Sequence, residues 1–441
     1  MKSAARIAAI AWVIASVYYF YQYMLRSAPA VMMPELSAAF GIGTAGVASL
    51  AGLFYYGYSP FSLVAGVAMD RLGAKRAMPI GAALVGVGAL LFASGGAEAA
   101  AVGRFLQGAG GAFALIGAAY IATQSFPASR AATLIGATQM FGMAGGSAGQ
   151  FLVGPIIGAG TPWSAFWAAM GVAGLAIGLL LLVLLPGRPA IGERDGRPAI
   201  EAAARPDARS RAGLDDPRRE GWAIAALRAL AAVFRNPQSL LCGAIAGLMF
   251  LPTTIFDMTW GVSYLQEAHG FDYPTAVMRS ATVPLGWIIG CPLLGAVSDR
   301  LGRRKPVIVG GAVALLGCLA WILYGPPGAL PPYVLGIAMG VASGAAMLPY
   351  TVIKEANEPG LAGTATGVVN FLNFTFSALL GPVFGASLLG AGAGGEIGLA
   401  QYQTAFRPML YGVALAIVLS LILRETGRAA RRGASPAPAP A

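Results

Sequence analysis

Four ionisable side chains lie within long apolar segments of this 441-residue chain. Arg26, Arg104 and Asp257 lie deep in such segments, and Arg279 lies nearer the end of another. A charged side chain is costly in hydrocarbon, so one that is kept inside a membrane segment usually marks a substrate or ion pathway. These residues are therefore the first candidates for chemistry.

Arg26 belongs to a polar and aromatic stripe. Tyr19, Gln22 and Tyr23 precede it at spacings that place all four side chains on one broad face of a helix. An arginine can hold a carboxylate by two parallel hydrogen bonds. We predict that Arg26 binds an anionic substrate and that the stripe lines the site. The alternative is an arginine that is paired structurally between helices.

Asp257 is the one deep carboxylate of the sequence, and Trp260 and Tyr264 follow it at helical spacing. Removal of a carboxylate from water favours its protonated form, so Asp257 is predicted to carry a coupling proton. Its aromatic neighbours are predicted to line the substrate site. A permanent ion pair with Arg26 or Arg279 is the competing interpretation.

Three amides in other apolar segments, Gln139, Asn370 and Asn373, are predicted hydrogen-bond partners of a solute. Hydrogen bonds between helices are the alternative role for such amides. The three cysteines lack the paired spacing of a disulfide or a metal site. The sequence therefore predicts a binding site without a metal or a cofactor.

The elements that must position these residues are membrane-spanning helices. Hydrophobic residues make up 57% of the chain and charged residues only 11%, whereas a soluble domain carries about a quarter charged residues. This composition excludes a soluble enzyme. Each apolar stretch must satisfy its backbone polar groups internally, which requires a helix. Twelve spans are predicted, at residues 7–33, 44–67, 77–95, 102–123, 133–158, 163–185, 239–266, 276–297, 307–324, 332–353, 365–389 and 406–423.

The net charge of +11 reflects membrane topology and not a nucleic-acid partner. Most Lys and Arg residues fall in the termini, the long middle loop and the loops after the second and eighth spans, whereas the other loops carry mostly acids. This distribution predicts a multi-pass protein of the inner, cytoplasmic membrane with both termini in the cytoplasm.

The chain divides into two similar halves. Two patterns occur once in each half at nearly constant offset: Asp70-Arg71 with Asp299-Arg300, and Gly154-Pro155 with Gly381-Pro382. A constant offset indicates a duplicated six-helix unit, and such repeats place the substrate site where they meet near the bilayer midplane. The predicted division is a six-helix bundle at 1–186, a partly disordered cytoplasmic linker at 187–238, a second bundle at 239–424 and a disordered tail at 425–441. The same offset places Arg26 and Asp257 at similar depth in opposite halves.

These patterns resemble those of the major facilitator superfamily over essentially the whole chain. The duplicated loop is similar to the best-known signature of that superfamily, and Arg104 with Gln107 and the glycines that follow resembles a second pattern. The resemblance implies twelve helices in two bundles around a central cavity, and it implies proton coupling for Arg104. Helix packing is an equally good explanation of Arg104 and Gln107.

The duplicated loop itself suggests a gate. An aspartate at a helix end beside a tight glycine turn can pair with a neighbouring helix and brace one conformation, so Asp70, Arg71, Asp299 and Arg300 are predicted gating residues. The alternative is that the basic residues only mark topology and contact anionic headgroups.

The first span is also similar to that of the organophosphate antiporter and anion:cation symporter families, in which an arginine at the position of Arg26 binds the anion. The second arginine of the organophosphate antiporters is missing from 252–257, which argues against phosphate esters. We predict a monomeric, proton-coupled secondary transporter of a small polar solute with a carboxylate, such as an organic acid, amino acid or short peptide. A proton-driven exporter of drug-like or siderophore-type compounds is the alternative, and an enzyme is not expected.

Overall fold

The computed structural model describes residues 2–126, 128–185, 222–326, 333–358, 361–391 and 397–427. Nearly all of this backbone is helical. The predicted linker stretch 187–221, the tail after 427 and the side chains of Asp70 and Arg71 lie outside the described part.

The described part of the first half contains eight helices and a short 3₁₀ turn. They are α1 (Lys2–Ser27), the 3₁₀ turn (Ala28–Val31), α2 (Met33–Phe40), α3 (Thr44–Leu72), α4 (Ala74–Ala93), α5 (Ala97–Ser125), α6 (Ala128–Phe151), α7 (Val153–Gly158) and α8 (Trp163–Leu184). Pro29 lies at the start of the 3₁₀ turn, and α1 ends two residues before it because a proline disfavours helical geometry in the preceding residue.

The second half repeats this plan with more interruptions. Its elements are α9 (Trp222–Arg235), α10 (Pro237–Leu251), a π-helix (Pro252–Trp260), α11 (Gly261–His269), α12 (Tyr273–Ser280), α13 (Thr282–Leu301), α14 (Lys305–Tyr324), α15 (Val334–Ser343), a 3₁₀ turn (Gly344–Met347), α16 (Leu348–Ala356), α17 (Ala362–Ala391) and α18 (Leu399–Ile422). Pro252 opens the π-helix, and its missing N–H frees the backbone to change register there.

Eleven helices within the described residues are long and apolar enough to cross a membrane, and a twelfth is added if the bent pair Met33–Phe40 and Thr44–Met69 forms one span. This confirms the predicted all-α membrane protein of about twelve spans. The predicted boundaries are less accurate. The last helix begins at Leu399 and not near 406, because Gln401 and Gln403 interrupt the apolar pattern of its first turns.

Small residues let the helices pack closely. A Cβ added at Gly108 of α5 would lie 1.9 Å from the carbonyl oxygen of Phe54 in α3, so only glycine allows this contact. Gly57 makes the reciprocal contact, since a Cβ there would lie 2.1 Å from the carbonyl oxygen of Phe105. Close approach through small residues is how membrane helices associate when water provides no driving force. It fixes α3 and α5 beside the end of α1.

The two halves touch near both ends of the spans. Toward the face that carries the α3–α4 and α13–α14 turns, here named the loop face, Ser59 of α3 donates to the carbonyl oxygen of Phe371 in α17 at 2.8 Å. Toward the opposite face, Ser147 of α6 donates to the carbonyl oxygen of Ala281 at 2.8 Å, and Tyr273 donates to that of Val31 at 2.6 Å. The two halves are therefore in contact toward both faces in this conformation.

Candidate functional site

Arg26 lies in a cage of aromatic rings between the halves. Its side chain is only 3% exposed, and α1 ends one residue later. The guanidinium carbon lies 4.5 Å from the ring centre of Phe374, 4.7 Å from that of Tyr23 and 4.8 Å from that of Tyr55. Two further rings, those of Phe54 and Tyr58, lie 5.4 Å and 5.6 Å away. These five rings stabilise the cation through their π faces, and we call them the Arg26 cage.

The hydrogen bonds of this guanidinium are incomplete. Nε donates to the hydroxyl of Tyr55 at 3.3 Å, but Nη1 and Nη2 have no hydrogen-bond partner among the described residues. Tyr55 in turn donates to the carbonyl oxygen of Thr254 at 3.2 Å, which connects the cage to the π-helix. A buried donor without a partner is costly, and a charged one more so. The cage is therefore a candidate site for an anion.

The stripe predicted from the sequence lies beside Arg26. Tyr23 is one of the cage rings, and Tyr19 packs edge-on against it at 4.9 Å. Tyr19 also donates to Oε1 of Gln139 at 3.1 Å, so the amide predicted in α6 belongs to the same region. Both amide atoms of Gln22 and the Nε2 of Gln139 are buried without a partner in the described part of the chain.

The predicted amides of α17 join a polar network on the other side of the cage. Tyr350 donates to Oδ1 of Asn370 at 2.9 Å, and Asn370 donates to the hydroxyl of Ser62 at 2.8 Å. Asn373 donates to the hydroxyl of Tyr350 at 2.9 Å, while its Oδ1 is left without a partner among the described residues, as is the hydroxyl of Tyr58. The network ties α3, α16 and α17 together and leaves one acceptor and one hydroxyl for a solute.

Arg104 donates hydrogen bonds to backbone carbonyl oxygens and to a neighbouring side chain. Nη1 donates to the carbonyl oxygen of Leu25 at 3.1 Å and to Oε1 of Gln107 at 2.8 Å, while Nη2 donates to the carbonyl oxygen of Ala51 at 3.1 Å. These bonds fix α1 and α3 on either side of the cage. The geometry fits the packing role of Arg104, and its role in proton coupling stays a prediction.

Asp257 does not face Arg26. The described residues contain no ion pair between Asp257 and either Arg26 or Arg279, so the competing interpretation of a permanent pair is wrong for this conformation. Oδ1 of Asp257 accepts a hydrogen bond from Ser280 at 3.0 Å, and Oδ2 is buried without a partner in the part of the chain that is described. Tyr264 lines the same cavity as Asp257 within the second half.

Trp260 and Tyr264 lie outside the Arg26 cage. Trp260 is buried against α17, where a Cβ at Gly385 would lie 3.7 Å from its ring. Tyr264 donates its hydroxyl hydrogen to the carbonyl oxygen of Ile322, so it accepts the 2.9 Å hydrogen bond from Nε2 of His269. The structure thus separates these two aromatic residues from the stripe on α1, and a direct role in the same substrate site would require another conformation.

The second copy of the duplicated loop forms a charged cluster at the loop face. Arg304 donates to Oδ1 of Asp299 at 2.6 Å and to Oε1 of Glu355 at 3.0 Å. Burial lowers the pKa of Arg304, but its hydrogen bonds and its charge contacts with these two carboxylates raise that pKa above the ordinary value. Arg300 is exposed, so Asp299 pairs with Arg304 and not with the arginine beside it in the sequence.

Glu425 closes this cluster from the end of the described chain. Its carboxylate accepts backbone hydrogen bonds from Arg304 at 2.7 Å and Lys305 at 3.1 Å, where α14 begins. Burial raises the pKa of Glu425, but the backbone donors together lower it below the ordinary value. Thr426 donates to Oε2 of Glu355 at 2.6 Å, so α13, α14, α16 and the segment after α18 are tied together.

Comparison with known proteins agrees with this architecture. The sequence profile of the Major Facilitator Superfamily matches residues 15–382. The chain belongs to the Major Facilitator Superfamily.

Relatives within the superfamily are distant but cover most of the chain. The membrane sensor protein UhpC of Salmonella typhimurium is 27% identical over 394 residues, which are 84% of this chain and 82% of that protein. The hexuronate transporter of Bacillus subtilis is 24% identical over 82% of this chain and 83% of its own length. The gentisate transporter of Corynebacterium glutamicum is 26% identical over only 37% of this chain and 36% of its own length.

A solved structure shows the same Major Facilitator Superfamily fold. A bacterial homolog of the human lysosomal transporter Spinster, in an inward-facing and unoccupied conformation, superimposes with a TM-score of 0.66 over 95% of both chains at 17% identity. Membership in the superfamily establishes a multi-pass membrane transporter and not an enzyme. It confirms the family and the fold expected from the duplicated loop.

Sequence reasoning missed most of the cage. It singled out Tyr23 but not Tyr55, Tyr58 or Phe374, which belong to α3 and α17. The run from Phe54 to Tyr58 holds four aromatic residues, a density that is unusual inside an apolar helix and that would have pointed to a site.

Proposed function

We propose that the chain carries a small organic acid across the membrane, with the carboxylate of the solute bound to Arg26. The observation that carries this proposal is a buried guanidinium whose two terminal nitrogens have no protein partner among the described residues. A carboxylate would accept two parallel hydrogen bonds from them and neutralise the charge. The aromatic rings stabilise the cation in the unloaded protein but leave its hydrogen bonds unmade.

The remaining polar atoms around the cage favour a hydroxylated acid. Gln22, Gln139, Asn373 and Tyr58 each have a buried polar atom without a partner in the described part of the chain. Such atoms favour the binding of a solute that can form hydrogen bonds with them over one that cannot. Hexuronate and gentisate, which name two relatives, are both hydroxylated carboxylates. The shared chemistry supports a sugar acid or hydroxy acid more than a peptide.

We propose alternating access between two bundles, 1–186 and 239–424, joined by the linker and with both termini and the loop face in the cytoplasm. The contacts near both ends of the spans support this scheme, because opening either side requires one set to break. The Asp299 and Arg304 pair is a candidate brace of the loop face, and Asp70 and Arg71 are proposed as its counterparts. We expect a monomer, since each chain holds a whole site.

Proton coupling is proposed at Asp257. Its Oδ2 is buried without a described partner, so a bound proton would relieve an uncompensated charge. Because Asp257 and Arg26 do not pair, the coupling would act through the conformation and not through direct competition for one partner. Export of drug-like cations fits poorly, since the positive charge of Arg26 would repel them.

A ligand-stabilisation screen of the purified protein tests the proposal. The panel contains sugar acids, aromatic hydroxy acids, phosphate esters, amino acids, short peptides and organic cations, and each is assayed on the wild type and on Arg26→Met. We expect hydroxylated carboxylates to raise the unfolding temperature of the wild type and to have no effect on the variant. Stabilisation of both proteins by organic cations alone would overturn the proposal in favour of an exporter.

A further inference from the structure

A cavity lies inside the C-terminal half, apart from the Arg26 cage. Its walls come from the π-helix and from the ends of the helices that surround it, and none of the five cage rings lines it. Its volume is about 120 Å³. A water molecule needs a cavity volume of roughly 10–15 Å³, so this cavity has room for several waters that contact one another.

Asp257 is the buried carboxylic acid among the residues that line the cavity, and we call its position the floor. This side chain is 3% exposed, and Oδ2 has no partner within the described ranges, while Oδ1 accepts from Ser280. Apolar side chains, among them Phe256 and Val283, line the cavity together with several polar groups. A buried acid beside a space that can hold water is a candidate proton-binding site.

The rim of the cavity reaches the opposite face. Trp321 and Tyr333 are 42% and 42% exposed, and both flank the ends of their helices, where such residues favour the membrane interface. Between rim and floor lie Tyr264 and His269, whose polar atoms are 2.9 Å apart. These groups can order a chain of waters from the interface to Asp257.

The other charged group of the cavity is Arg279. Its guanidinium stacks on Phe271 at 4.0 Å, and its Nε is buried without a partner in the described part of the chain. The titratable or charged groups that line the cavity are thus Asp257, Arg279, His269, Tyr264 and Tyr333. The positive charge of Arg279 disfavours any cation on the waters beside it, an excess proton included, so the place where the path holds a proton is the carboxylate of Asp257.

We propose that this cavity conducts the coupling proton between the opposite face and Asp257, separately from the route of the substrate. The proposal rests on the proton-coupled function and adds the path to it. The proton passes along hydrogen-bonded waters to Oδ2 of Asp257, where it neutralises the carboxylate. Substrate and proton then bind at different places, and only the conformational change couples the two binding events.

A removable plug tests the path. In a background with Cys242, Cys291 and Cys318 replaced by alanine, Leu265→Cys places a thiol on the cavity wall, and Gln266→Cys places one on the same helix outside the lining. Each is modified with an aromatic methanethiosulfonate, and modification is confirmed by mass. Modified Leu265→Cys should lose pH-driven accumulation, keep substrate exchange and recover after reduction. Modified Gln266→Cys should behave as the unmodified protein.

A second measurement does not depend on transport. The modification of Asp257 by a carbodiimide, which attacks protonated carboxyl groups, is followed by peptide mass before and after plugging. We expect the plug to protect Asp257 in Leu265→Cys and not in Gln266→Cys. Equal modification of Asp257 with and without a complete plug would overturn the path. If protection is seen but the unplugged protein shows no pH-driven uptake, the path stands and the proton-coupled function fails.

Discussion

Replacement of Arg26 by methionine separates a binding role from a structural role. Methionine fills a similar volume with apolar atoms, and it removes a buried cation whose terminal nitrogens have no partner among the described residues. Exchange of an unsatisfied buried charge for an apolar group of similar size is neutral or stabilising. We therefore expect Arg26→Met to keep or raise the unfolding temperature while it abolishes detectable substrate binding.

Arg26→Lys measures the contribution of the paired hydrogen bonds. Lysine keeps the charge but cannot present two parallel donors to a carboxylate. A hydrogen bond to a charged group contributes about 1.5–3 kcal/mol, so the loss of one such bond weakens the affinity by about tenfold to hundredfold. The order of affinities is expected to be wild type, then Arg26→Lys, then Arg26→Met, with Arg26→Ala also close to zero binding.

Isothermal titration of the purified protein with the acid found in the screen gives the affinities, and thermal unfolding gives the stabilities. Arg407→Met is the matched control, because Arg407 lies at an exposed position of α18. It should leave the affinity unchanged. The reasoning is refuted if Arg26→Met binds normally and unfolds at a much lower temperature, since Arg26 would then be a structural partner.

Three further predictions concern the cage, the proton and the loop face. Tyr55→Phe removes the hydroxyl that accepts a hydrogen bond from Arg26 Nε, which contributes about 1 kcal/mol, so titration should show about a fivefold weaker affinity for the substrate. An unchanged affinity would show that Tyr55 does not orient the arginine. Asp257→Asn should abolish accumulation driven by a pH gradient but keep substrate exchange in proteoliposomes, and continued accumulation would exclude it as the coupling site. Arg304→Gln should be expressed normally but change the transport rate, because Arg304 forms the ion pair with Asp299. Arg300→Gln is the control and should keep the wild-type rate. Equal rates in both variants would leave this loop as a topology marker.

The fold was predictable because it depends on averages over many residues. The hydrophobic content, the asymmetric distribution of basic residues and the duplicated Asp70 and Asp299 loops each persist when any boundary shifts by several positions. The details of the loop were not predictable. Asp299 pairs with Arg304 because the turn after α13 brings that arginine back over the helix end, and position in the sequence does not report that geometry.

The site was only half predictable, since helical spacing identifies neighbours on one helix and not across helices. Tyr19, Gln22 and Tyr23 do lie with Arg26, as their spacing on α1 requires. Phe374, the ring centre nearest to the guanidinium, is 348 positions away in the chain and no local pattern joins it to Arg26. Such contacts arise only from the packing of α1, α3 and α17.

Arg26 and Asp257 show how far the internal repeat can be used. The offset between halves predicts equal depth along two helices, but it does not predict the direction in which each side chain points around its helix. The π-helix changes that direction locally, because residues five apart and not four apart share a face there. The carboxylate consequently lies with Tyr264 and Ser280 in its own cavity, while the arginine lies among rings from α1, α3 and α17. Tyr55 bonds both Arg26 and the carbonyl oxygen of Thr254 in the π-helix, and we propose that a loaded cage biases the segment that carries Asp257 through this residue.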